Sequence, residues 1–235
     1  MPTLRPAAAR GHTRTDWLDS RHSFSFGRYY EPAQTGFRAL RVLNEDVVAP
    51  GSGFPPHHHA NMEILTWVLE GALAHRDSAG GSGVIRAGEL QRMSAGHGIE
   101  HSEYNAADDR PVRFLQIWIQ PNRVNLAPSY AQRAFAAQAL RDRLCLLAAP
   151  AGAGGDALAL HADAHVYAAR LGAGAAVRHR PAPGRGVWVQ VARGEVTLDG
   201  TRLTQGDGAA LDAADALTLT GGGADGGEVL LFELA

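Results

Sequence analysis

Residues 51–105 hold six of the chain's eleven histidines, and their spacing narrows what the chain can fold into. The segment opens on His57-His58-His59 and closes on His101-Ser102-Glu103. Between them runs apolar material, residues 64–69 above all, broken by glycines at 71, 80, 81, 83, 88, 96 and 98. Glycine turns separating runs of five to eight residues argue for strands, so the segment reads as all-β. In a strand, residues i and i+2 project to one side. His57 and His59 then point together, and His58 points away. His101 and Glu103 repeat the arrangement on a second strand. Two such pairs facing each other supply three imidazoles and one carboxylate, a set that suits a divalent transition metal in or at the mouth of a small barrel. Imidazole serves iron, copper, nickel and zinc alike. A closed structural zinc site draws more often on cysteine, and Cys145, the only cysteine, lies far away in sequence. Glu63, four residues after His59, is a rival carboxylate. His75 reads as a structural histidine, and His97 as a turn residue between two glycines.

Elsewhere the chain reads as short strands and turns. Phe24 and Phe26 alternate with serines, a half-buried strand pattern. Residues 39–43 form another strand, stopped by Asn44-Glu45-Asp46. Residues 114–119 close the first barrel. Residues 121–165 are connecting material, with one short helix expected over 130–140 from its alanine, glutamine and arginine. The second half faintly repeats the first. VWVQVARG at 187–194 echoes TWVLEG at 66–71, and TQGD at 204–207 echoes RAGE at 86–89. No histidine pair follows Gly206, and His161, His165 and His179 are scattered, so this half reads as a barrel without a metal site.

Charge excludes some functions. With 22 basic and 24 acidic residues, the net charge of −2 gives no electrostatic case for direct nucleic-acid or membrane contact. No apolar run is long enough for a membrane span. Residues 1–14 lack the apolar stretch of a secretory signal. The single cysteine excludes an intrachain disulfide framework, and the cytoplasm is the expected compartment.

The motifs become specific when read together. Gly51, His57, His59, Glu63 and Gly71 are spaced much like the first cupin motif. Gly88, Ser94, Gly96, His101 and Asn105 resemble the second, with Ser94 where cupins usually have proline and two extra residues before the histidine. These departures resemble one cupin branch, the pirins. The runs MEILTWVLEG at 62–71 and MSAGHGIEHSEYN at 93–105 closely resemble bacterial pirin-like quercetin dioxygenases. The likeness continues through WLDS at 17–20, HSFSF at 22–26, Tyr29-Tyr30 and QIWI at 116–119, fades after about Phe135, and returns weakly near Val187.

The resemblance implies an all-β bicupin, two double-stranded β-helix (jelly-roll) barrels with few short helices. Residues 1–135 would form the metal-binding barrel and residues 136–235 a barrel lacking ligands. Pirin metal ligands match His57, His59, His101 and Glu103, and Glu63 matches a family glutamate that is not a ligand. The family usually has proline where this chain has His58. The implied cofactor is one divalent transition metal per chain, iron first, with nickel, copper, manganese, cobalt or zinc as alternatives. The implied reaction is oxygen-dependent cleavage of a flavonol such as quercetin, releasing carbon monoxide, with Glu103 as general base. The implied partners are a flavonol-like aromatic substrate and O2. A regulatory pirin with a protein partner, or a cupin enzyme for another small molecule, are the other classes.

Overall fold

The computed structural model describes residues 1–153, 155–213 and 215–235. The chain divides into two compact units. One comprises Gly11–Phe135 with Leu160–Ala162, the other Met1–Arg10, Ala136–Ala159 and Asp163–Ala235. The strands as far as Ala134 are β1 (Thr3–Arg5), β2 (Gly11–Arg14), β3 (Leu18–His22), β4 (Leu40–Val48), β5 (Gly53–His59), β6 (Glu63–Glu70), β7 (Ala72–Asp77), β8 (Ser82–Arg86), β9 (Glu89–Ser94), β10 (Ile99–Asn105), β11 (Val112–Ile119) and β12 (Ser129–Ala134).

In the first unit two antiparallel sheets form. One runs β12-β9-β6-β11-β4-β3-β2, the other β5-β10-β7-β8. The sequence explains their layers. In β6 every residue except Glu70 is buried, as its unbroken apolar run requires of a central strand. In β10 burial alternates strictly, with Ile99, His101, Glu103 and Asn105 inward. Val48, Val68, Leu73, Ile85, Val112 and Phe114 pack into one buried cluster, joined by Trp17, Leu18 and Phe54. A second cluster gathers Ile64, Met93, Ala95 and Ile99. Asn105 closes β10 by donating its side-chain amide to the carbonyls of Val48, Ala49 and Arg110.

Three local expectations are corrected. The strand expected to stop at Asn44 runs on to Val48, because Asn44 and Asp46 are buried and find polar partners on β3. Phe24 and Phe26 do not form a strand. The strand lies just before them at Leu18–His22, and Phe24 is buried beyond its end. Residues 130–140 are not one helix. Ser129–Ala134 pairs along its whole length with β9, leaving only Ala137–Leu140 helical. Ladder bonds to a buried strand outweigh helix propensities of a few tenths of a kcal/mol per residue.

In the second unit, β1 pairs with Gly208–Leu211, so the first residues of the chain belong to the C-terminal sheet. The longest strand, Gly186–Leu198, pairs with Gly227–Leu234 and with Leu217–Gly221. The sequence echoes are structural. Gly88 and Gly206 both lie in the left-handed region, at φ +85° and +88°. In both turns the next residue is acidic and accepts a backbone N–H three residues before it, Glu89 from Arg86 at 2.9 Å and Asp207 from Thr204 at 2.8 Å.

Gly53 opens β5 where that strand passes the backbone of β10, so that an added Cβ would meet the Glu103 carbonyl and Tyr104. Gly53→Ala should therefore destabilise the protein by about 1–3 kcal/mol. A urea midpoint unchanged from the parent would show that the strands separate freely here.

Candidate metal centre

The edge strand β5 and its neighbour β10 position the site. They pair antiparallel with His57 opposite His101 and Ile99 opposite His59. The rings of His57, His59 and His101 meet with centroids 4.4–4.8 Å apart. One potential ligand atom from each of these three lies within 4.8 Å of the others. Glu103 joins His101 and His75 in a second such group, so His101 is common to both. His58 sits on the outer face, mostly exposed, with Nε2 3.1 Å from Glu100.

The histidine nitrogens are arranged for ligation. Nδ1 of His57 lies 2.8 Å from the Pro55 carbonyl, which can only accept. The neutral ring therefore keeps its lone pair on Nε2. His101 is 2% exposed, and its Nε2 is buried with no hydrogen-bond partner. Leaving a polar atom so placed costs about 1–3 kcal/mol. A metal-binding role explains why that cost is carried, and the donor set fits a divalent transition ion. Burial, reinforced by neighbouring imidazoles, lowers His59 to a pKa of about 4 and His101 to about 2, holding both in the neutral, ligating form.

Glu103 is 1% exposed. Its Oε2 accepts from Gln116 Nε2 at 2.8 Å, and its Oε1 lies 3.3 Å from the Thr66 hydroxyl. Burial raises its pKa to about 7, opposed by the hydrogen bonds from Thr66 and Gln116 and aided by the charge of Asp46. The rival Glu63 is held elsewhere, accepting from the Ser94 hydroxyl at 2.5 Å and the His161 amide at 3.3 Å. His97 is exposed in its turn. His75 is buried, 2.9 Å from Asp77 and 3.5 Å from His101.

A cavity of about 740 Å³ opens onto His57, His59 and Glu103. Leu18, Phe26, Phe54 and Trp118 give it an apolar wall, with Arg14 and Arg28 also in the lining. A polar band from β3 and β4 faces the same space. The Ser20 hydroxyl donates to Asp46, His22 Nδ1 bonds Asn44 Oδ1 at 2.9 Å, and His22 Nε2 lies 2.8 Å from the Thr13 hydroxyl. Burial raises Asp46 to a pKa of about 7, against the Ser20 hydrogen bond. Sequence reasoning missed this band. The available signal was the period-two continuation of β4 through Asn44 and Asp46 to Val48.

Comparison with known proteins agrees with this architecture. The pirin family model matches residues 3–119, and the model of the quercetinase C-terminal cupin domain matches residues 146–234. The chain is 43% identical over 235 residues to a quercetin 2,3-dioxygenase of Escherichia coli strain K12, covering 100% of this chain and 99% of that protein. It is 46% identical over 233 residues to a putative quercetin 2,3-dioxygenase of Mycobacterium tuberculosis H37Rv, covering 98% and 94%. Among solved structures it resembles the E. coli bacterial pirin YhhW in complex with nickel(II), with a TM-score of 0.92 and 42% identity over 100% of this chain and 99% of that one. The chain is all-β, is built of two cupin domains, and belongs to the pirin family.

Proposed function

We propose that this chain is a metal-dependent dioxygenase that cleaves the heterocyclic ring of flavonols such as quercetin with O2 and releases carbon monoxide. The observation that carries the reading is a single cavity shared by an aromatic wall, a buried polar band, two histidines of the cluster and Glu103. The names of the relatives support it. His57, His59, His101 and Glu103 would hold one metal, with iron the first choice among iron, nickel, copper, manganese, cobalt and zinc. When bound, the metal supplies Lewis acidity toward a substrate hydroxyl and, for a redox-active ion, reactivity toward O2.

The chain's own residues supply the rest. Phe26, Phe54 and Trp118 offer ring faces and edges to a flat aromatic substrate, and they keep water from the reacting centre. Ser20, His22, Asn44 and Asp46 offer donors and acceptors to the phenolic hydroxyls at its rim. Glu103 takes the proton of the reacting hydroxyl on a carboxylate oxygen. Its pKa of about 7 suits a base working near neutral pH. The Gln116 amide, 2.8 Å away, holds that carboxylate in place.

The decisive assay follows quercetin loss and carbon monoxide release on protein reloaded separately with each of the six metals. Turnover with a redox-capable ion is expected. Full occupancy without turnover would overturn the reading in favour of a regulator or another substrate. Glu103→Ala should retain less metal and lose quercetin cleavage by about 10²–10⁴-fold. Undiminished activity in that variant would remove Glu103 from the chemistry. Metal analysis should find no more than one ion per chain, and two tightly held ions would contradict a ligand-free second barrel.

Asp46 gives a test independent of turnover. Its folded-state pKa of about 7 lies above the ordinary 3.8. As pH rises from about 4 to about 7, the unfolded chain releases this proton before the folded one does, so stability falls across that window. Urea midpoints of chelator-treated Asp46→Asn protein should fall less steeply over this range than those of the parent. Identical slopes would refute the assignment.

A further inference from the structure

We propose that Asp77 and His75 are positioning residues that set the tautomer of His101 and so leave its Nε2 lone pair free for a metal. The inference rests on the metal-centre reading above and extends it to two residues outside the ligand set. His75 lies within β7, the strand that flanks β10 on the side away from β5, and Asp77 ends it. In register, Asp77 lies opposite His101 and His75 opposite Glu103.

The proton order follows from the partners. Asp77 Oδ1 accepts the backbone N–H groups of Ala79 at 2.9 Å and Gly81 at 2.8 Å. An ionised carboxylate can only accept, and two amide donors already point at this one. Its Oδ2 lies 2.9 Å from His75 Nε2, and both side chains are fully buried. His75 therefore donates from Nε2, and the neutral ring carries its lone pair on Nδ1. That Nδ1 is 3.5 Å from Nδ1 of His101. Two ring nitrogens that face each other need one proton between them, since two lone pairs or two N–H groups would repel. The proton must then sit on His101 Nδ1. His101 Nε2 is left as the bare nitrogen, and it is the buried atom that has no hydrogen-bond partner. Had the proton sat on Nε2 instead, ligation would be blocked.

The dyad is built rigidly enough for this task. Tyr130 of β12 stacks on His75, with centroids 4.8 Å apart and an interplanar angle of 24°. Gly81 leaves no room for a side chain, because an added Cβ would meet the Asp77 carboxylate and Tyr130. The His75 ring thus has a bonded edge, a covered face and a second edge turned to His101.

The test uses the full chain, labelled with 15N at histidine and stripped by a chelator. Long-range proton–nitrogen correlation should show His101 protonated at Nδ1 and bare at Nε2. His101 protonated at Nε2 would overturn the proposal. Asp77→Asn keeps the side chain's shape but can present an amide donor to His75 Nε2. That would reverse both tautomers, moving the His101 proton to Nε2 and lowering nickel(II) affinity by about 10–100-fold in chelator competition. Unchanged nickel affinity together with a reversed His101 tautomer would also overturn it. If the variant does not fold, the parent spectrum alone decides. If the parent itself fails to bind nickel(II), the metal-centre reading falls, while the tautomer spectrum still tests the proton order.

Discussion

The register of β5 against β10 is the constraint on which the site depends. Sliding either strand by one residue would turn all of its side chains to the opposite face. His58 and Glu100, which now pair outside at 3.1 Å, would enter the barrel in place of the ligand residues. The pairing is uneven where it matters. His101 lies opposite His57, but Glu103 lies opposite Phe54, so three steps of β5 span two of β10. The extra residue falls at Pro55-Pro56, which have no amide N–H to offer a ladder. β5 is the edge of its sheet, where such a defect is tolerated. The prolines therefore release the strand from its regular pairing just before the histidines, and the Pro55 carbonyl is reused to fix the His57 ring.

Placing ionisable groups at this spot opposes stability. Glu103 and Asp46 are both buried, and burial raises each to a pKa of about 7. Their hydrogen bonds from Gln116, Thr66 and Ser20 recover part of the desolvation cost without abolishing it. An apolar core of the same volume would be more stable. Polar groups retained against such a cost mark a place where function outweighs packing. The charge of Asp46 also raises Glu103, which ties the base to the polar band of the cavity.

Legibility in the sequence followed the type of signal. The period of two identified His57, His59, His101 and Glu103 as same-face pairs, because alternation depends only on strand geometry. Glycines at positions that need a left-handed backbone marked the turns in both barrels. The β3–β4 band was hidden because Asn44, Glu45 and Asp46 form a turn-like triplet. Only tertiary partners such as Ser20 and His22 make a strand of it. Residues 130–134 read as helix for the same reason in reverse. Their alanine, glutamine and arginine favour helix weakly, and pairing with β9 overrides that preference. The likeness of residues 62–71 and 93–105 to pirins carried the family, which no propensity argument could supply.

The two barrels separate what makes this fold from what makes its site. Both keep the left-handed glycine and the acidic residue that caps the turn after it, Gly88 with Glu89 and Gly206 with Asp207. These are backbone requirements, and they are met at corresponding points of each sheet. The inward faces differ. In the C-terminal unit the interior is an apolar cluster that includes Val187, Val189, Val191, Val196, Leu198, Leu217, Leu219, Val229 and Leu231. In the N-terminal unit, inward positions of β10 carry His101 and Glu103, and those of β4 carry Asn44 and Asp46. Changing inward side chains while keeping the turns leaves the ladder untouched, because the hydrogen bonds of a sheet are made by the backbone. One barrel can therefore serve as packed support while the other carries the costly polar groups, and nothing in the fold alone decides which.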